Sequence, residues 1–113
     1  MRMQKPPSTP NANSCADRLK ALADETRLAV VQHLMKGECH VGDIQAALGI
    51  EQSLLSHHLR NLREAGIVES ARDGKSVLYR LAPGMERRRD GIVDLGCCRI
   101  SFEPPNRPSR KRD

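Results

Sequence analysis

Between Gly49 and Gly66 the chain carries leucines at 55, 59 and 62, steps of four and three that fall on one side of a helix. Ser53, Ser56, His57 and Arg60 fall on the other side. A helix with so narrow an apolar stripe buries one edge and leaves a small polar ridge in solvent. The stretch before it, Asp43 to Leu48, reads as a short helix with Ile44, Ala47 and Leu48 turned inward, and Gly49 supplies the sharp turn between the two. Helix, glycine turn and a second helix with a polar outer face form the arrangement that enters a major groove. Ser53 and Ser56 are short enough for the backbone to approach bases, Gln52 suits an adenine edge, and His57 and Arg60 reach acceptors or phosphates. His58 lies beside the leucine stripe and reads as a hydrogen-bonded, partly buried side chain.

The flanking segments complete a small domain. Pro6, Pro7 and Pro10, mixed with Ser and Asn, describe a disordered leader over residues 1–14. Leu19, Leu22 and Ala23 share a face of a first helix, and Asp24 is an N-cap for a second, with Leu28, Val31, Leu34 and Met35 at helical spacing. Ile67–Arg72, Asp73-Gly74 and Lys75–Leu81 read as a β-hairpin, a wing whose Arg72, Lys75 and Arg80 are spaced to follow a phosphate backbone. A last helix is expected from Met85 to about Leu95, with Gly91 and Gly96 weakening it by roughly 1 kcal/mol each relative to Ala. The expected domain thus covers residues 15–102, followed by a basic, Pro-rich tail over 103–113.

The chain has 113 residues with one Phe, one Tyr and no Trp, so its core must be aliphatic and small, and association with a second copy is expected. The expected class is mainly α with a small β-hairpin, a dimeric winged helix-turn-helix. A formal charge of +5 favours a polyanionic partner. Residues 1–13 lack the apolar run of a signal peptide, and no apolar stretch is long enough to span a bilayer, so a cytoplasmic location is expected. No cysteine has a recognisable His and carboxylate arrangement and no glycine loop suits a phosphate, so an enzyme is not expected. A winged-helix module that binds an acidic protein partner is the alternative from another class.

Two strings, Leu19-Lys20-Ala21-Leu22-Ala23-Asp24-Glu25-Thr26-Arg27-Leu28 and Ser56-His57-His58-Leu59-Arg60-Asn61-Leu62-Arg63-Glu64-Ala65-Gly66-Ile67-Val68, resemble the arsenic-repressor (ArsR/SmtB) regulators. Asp73-Gly74-Lys75 and Tyr79-Arg80-Leu81 extend the resemblance, which runs from about Cys15 to Leu81. It implies a transcriptional repressor that binds double-stranded operator DNA. It further implies a homodimer joined by its first and last helices, with two recognition helices on a palindromic operator and a metal or other stress signal lowering DNA affinity. Three positions depart from the family pattern: Glu25 replaces a common Pro, Glu51 stands where a Ser cap is usual, and Leu54 replaces a small polar residue. Glu51 is expected to contribute to capping through the helix dipole, although a carboxylate near phosphates opposes DNA binding.

Four cysteines, Cys15, Cys39, Cys97 and Cys98, suit ligation or redox sensing in a reducing compartment. Cys97 and Cys98 are adjacent, next to Arg99, which favours thiolate. Neighbouring thiolates both reach one large soft ion and need further ligands, for which Cys39, Cys15 and His40 are candidates. The family's Cys-x-Cys-Asp sensor is incomplete at His40-Val41-Gly42-Asp43, and Glu86 to Asp94 lacks the histidine of its last-helix zinc site. The remaining resemblance is to members with sensor thiols near the C-terminus, which bind arsenite, antimonite or similar soft ions; cadmium and zinc complete the candidate inducers. A redox or persulfide switch, with Cys39 or Cys15 pairing with Cys97 or Cys98, is the second reading, and packed thiols without a sensory role the third.

Overall fold

The computed structural model describes residues 14–87 and 91–102. The leader expected over 1–14 lies outside the described residues apart from Ser14, as does the tail expected over 103–113.

Helix starts follow their caps. Ser14 Oγ accepts from the Asp17 N–H at 3.1 Å and opens α1, Cys15–Leu22. Asp24 Oδ2 accepts from the Arg27 N–H at 3.0 Å and opens α2, Glu25–Leu34. A two-residue strand β1, Cys39–His40, leads into α3, Val41–Leu48, which ends at Gly49 with φ 66°, the left-handed conformation expected of that turn. The long helix α4 spans Gln52–Glu64. The wing is an antiparallel pair, β2 Val68–Asp73 and β3 Ser76–Leu81, in register from Val68↔Leu81 to Asp73↔Ser76. Strand β1 adds to the other edge of β3, with Cys39 opposite Tyr79, and so ties the start of α3 to the wing.

The core lies beneath α4. Leu55, Leu59 and Leu62 are buried against Val30, Val31 and Leu34 of α2, Ile44 of α3 and Ile67 before the wing. Three residues read on the apolar faces of helices are exposed. In α1 only Leu22 is buried, while Leu19 is 43 % exposed and Ala23 is the exposed C-cap. Ala47 is also exposed, because α3 buries only Ile44 fully and leaves Leu48 half-buried.

The expected last helix is not formed. Its place holds a second antiparallel sheet of β4 Glu86–Arg87, β5 Ile92–Asp94 and β6 Arg99–Ser101, in the order β4-β5-β6. Gly91 and Gly96 explain the difference. They adopt φ 66° and 91°, where a helix needs about −63°, and so act as turn residues. Val93 and Leu95 carry the new sheet into the main core. The two-helix dimer contact implied by the family resemblance therefore lacks its second helix among the described residues. The described residues thus form four helices with a winged antiparallel sheet, a winged helix-turn-helix.

A candidate nucleic-acid interface and a three-sulfur cluster

The leucine stripe of α4 points inward, so Gln52, Ser53, Ser56, His57 and Arg60 are all exposed. Ser53, Ser56, His57 and Arg60 line a shallow concavity of about 420 Å³ together with Arg63 and Tyr79. The last two were missed in the sequence. Arg63 lies three residues beyond Arg60 and seven beyond Ser56, on the same helical face, so the period could have found it. Tyr79 arrives through β3 and has no local signal. Glu51, at the N-cap of α4, makes no capping hydrogen bond; its carboxylate accepts from Ser53 Oγ at 2.9 Å instead. Leu54 is 44 % exposed at the same end of the helix.

The wing cations differ among themselves. Arg72 and Lys75 are exposed at the wing tip and make no ion pair among the described residues. Arg80 Nε lies 2.8 Å from Glu69 Oε2, with Glu38 Oε1 3.7 Å from its Nη1. The hydrogen bond and charge of Glu69 raise its pKa further above the ordinary arginine value, and its positive charge is already balanced. Behind the ridge, His58 is 8 % exposed and its Nδ1 lies 3.1 Å from Arg27 Nη1. Arg27 Nε donates to the Ala21 carbonyl, so one guanidinium links the end of α1 to α4.

At the other end of α1 sits a sulfur cluster. Cys15 and Cys97 form a disulfide with a Cα–Cα separation of 5.9 Å. Cys98 Sγ lies 3.8 Å from each of the two sulfurs. The turn at Gly96 presents both C-terminal cysteines to α1, and Arg18 Nη1 fastens the same turn by donating to the Leu95 carbonyl. Arg99, expected to favour thiolate, turns its Nε toward Asp94, 3.7 Å away. Within one protomer the other two candidate ligands lie apart from these sulfurs. Cys39 donates weakly to the Gly37 carbonyl, and burial, aided by the charge of Asp43, pushes its thiol up. His40 Nε2 lies 2.7 Å from Asp73 Oδ2 and its Nδ1 3.8 Å from Asp43 Oδ2, joining the wing turn to α3.

The family described as bacterial regulatory protein, arsR family, matches residues 24–70. The HTH-type transcriptional regulator NmtR of Mycobacterium tuberculosis is 40 % identical over 80 residues, covering 71 % of this chain and 67 % of that protein. This chain belongs to the arsR family. The biofilm growth-associated repressor of Xylella fastidiosa is 46 % identical over 70 residues, which cover 62 % of this chain and 61 % of the relative. The match therefore spans about three-fifths of that repressor's length. Among solved structures, Mb0332 of Mycobacterium bovis, described as a homodimeric winged helix-turn-helix DNA-binding domain, superposes with a TM-score of 0.58 at 37 % identity, covering 59 % of this chain and 62 % of that one.

Residues 24–70, which match the arsR family, contain the Asp24 cap, the whole of α4 and its polar ridge. Cys15, Cys97 and Cys98 lie outside that span. The family match thus covers the helix-turn-helix, and the sulfur cluster is built from segments on either side of it. Among the described residues no helix is long and apolar enough to cross a membrane.

Proposed function

We propose that this chain is a DNA-binding transcriptional repressor that acts as a cytoplasmic homodimer and leaves its operator when Cys15, Cys97 and Cys98 take up a soft metal or metalloid ion such as arsenite. The observation that carries the sensing role is the convergence of three sulfurs from opposite ends of the domain within 4.8 Å of one another. Three thiolates suit a soft three-coordinate ion such as trivalent arsenic or antimony, whereas zinc would need a fourth ligand. The family, the exposed ridge of Gln52, Ser53, Ser56, His57 and Arg60, and the tip cations Arg72 and Lys75 support DNA binding. The homodimeric neighbour supports two such ridges reading a palindromic site.

The ion would act through α1. Binding by Cys15 at its first residue and by the 97–98 pair ties α1 to the C-terminal sheet, while Ala21 at its other end holds Arg27 and, through it, His58 of α4. Uptake that favours one placement of α1 shifts α4, and DNA weakens ion binding by the same coupling free energy.

The test is operator binding by fluorescence anisotropy with fully reduced protein. Arsenite is expected to weaken binding by about 10-fold, within the usual range of allosteric coupling. Cys15→Ser, Cys97→Ser and Cys98→Ser each lose that response while binding the operator normally without arsenite. An operator affinity indifferent to arsenite, cadmium and antimonite removes the sensing role.

A further inference from the structure

The soft-ion reading requires three thiolates, yet the structure holds two of the same sulfurs in a disulfide. We propose that the Cys15–Cys97 disulfide and the soft-ion site are mutually exclusive states of one three-sulfur cluster, so that a peroxide abolishes the ion site and a bound ion shields the thiols from oxidation. This rests on the soft-ion reading and adds the regulation of that site.

The chemistry follows from the placement. Cys97 is exposed and Cys15 half-buried, so Cys97 meets a small oxidant first. Its thiolate attacks one peroxide oxygen, the O–O bond breaks, hydroxide leaves and takes up a proton as water, and a sulfenic acid remains. The Cys15 thiolate then attacks the Cys97 sulfur, the S–S bond forms, and a second hydroxide leaves as water. Two thiols have lost two electrons and one peroxide has become two waters. Arsenite uptake involves no redox change: three thiols give up their protons, their sulfurs replace three hydroxyls on arsenic, and three waters leave.

After oxidation the cluster offers a soft ion only Cys98, whose sulfur stays 3.8 Å from each sulfur of the disulfide. One thiolate keeps one bond and loses the chelate advantage of three. Cys39 takes no part, because it lies in β1 away from the cluster and remains a thiol alongside Cys98. A dithiol reductant returns two electrons, frees Cys15 and Cys97, and restores the ion site.

The test compares the full chain after reduction by a dithiol and after treatment with hydrogen peroxide, each desalted, by arsenite binding in equilibrium dialysis and by counting alkylated cysteines in the mass spectrum. The reduced chain is expected to bind arsenite and alkylate at all four cysteines, and the oxidised chain to alkylate at Cys39 and Cys98 alone. Oxidation should weaken arsenite binding by at least about 100-fold, the scale at which multivalent attachment is lost. Arsenite added before peroxide should preserve all the thiols. Cys98→Ser should still form the disulfide yet bind arsenite poorly when reduced, and Cys39→Ser should behave as wild type. Failure of the reduced chain to bind arsenite overturns the soft-ion reading itself. Normal binding by the reduced chain, with equal binding by a chain whose Cys15–Cys97 link is verified by peptide mapping, overturns the exclusion alone. Peroxide that leaves Cys15 and Cys97 alkylatable overturns it as well.

Discussion

Arg27 Nη1 lies 3.1 Å from Nδ1 of His58, so a cation in the first turn of α2 partners the buried histidine of α4. The same guanidinium donates to the Ala21 carbonyl, and Asp24 Oδ2 approaches His58 Nδ1 to 3.8 Å. Three helices are thereby registered on one side chain.

Arg27→Ala removes that registration and leaves the buried imidazole and the Ala21 carbonyl short of a partner. An unsatisfied buried polar group costs about 1–3 kcal/mol, so the variant should lose stability on that scale in urea unfolding. Arg27→Lys, with one donor centre instead of a fork, should recover only part of it. An unchanged urea midpoint in Arg27→Ala would show that the contact is incidental.

Asp24 joins a cap to a charge. The Arg27 N–H lowers its pKa below 3.8, the charges of His58 and Arg27 add to this, and burial opposes it. A carboxylate depressed in the folded state contributes stability that is full above its unfolded pKa and is lost as pH falls through the lower folded value. Asp24→Asn keeps a capping oxygen without the charge, so its deficit relative to wild type should be present at neutral pH and shrink below about pH 4. Asp24→Ala also loses the cap and should cost about 1 kcal/mol at neutral pH. Thermal melts of the three proteins from pH 3 to 7 check both parts.

The same local logic explains what was legible before any coordinates. Caps, stripes and glycine turns are written in neighbouring residues, so Asp24, Gly49, the Leu55, Leu59 and Leu62 stripe and the hairpin could be read directly. Long-range neighbours could not. The approach of Cys15 to Cys97 and the entry of Tyr79 into the α4 concavity depend on how separate segments pack. Balancing of Arg80 by Glu38 depends likewise on where β1 leads. The C-terminal segment misled because apolar residues at 92, 93 and 95 fit a buried strand as well as a helix. Its glycines, treated as weak points of a helix, were in fact the turns.

Wing charges give a prediction that separates contact from ornament. Each cation that neutralises a phosphate releases counterions, so removing one should flatten the dependence of log affinity on log salt by about 1. Arg72→Ala and Lys75→Ala should each do so in operator titrations across a potassium chloride series. Arg80→Ala should leave the slope nearly unchanged, because Glu69 and Glu38 already offset its charge. A slope flattened by about 1 in Arg80→Ala, as in Arg72→Ala, would mean that this clamp opens on DNA.

Gly91→Ala decides between the two conformations of the C-terminal segment by its sign. In a helix, alanine is favoured over glycine by about 1 kcal/mol, so the substitution would stabilise the protein. In the sheet, Gly91 has φ 66° and a Cβ there would lie 3.3 Å from the Phe102 carbonyl oxygen. Forcing an alanine into that left-handed conformation costs about 1–2 kcal/mol, and the crowded carbonyl adds to it. The Gly91 carbonyl also accepts from the Phe102 N–H at 3.0 Å, so relaxation by twisting the backbone would break the closure of the sheet. Urea unfolding of Gly91→Ala should therefore show a loss of stability, with faster proteolysis after Arg99 than in wild type. A gain of stability would mean that the segment is helical in solution, and Cys97 and Cys98 would then be presented from a different element.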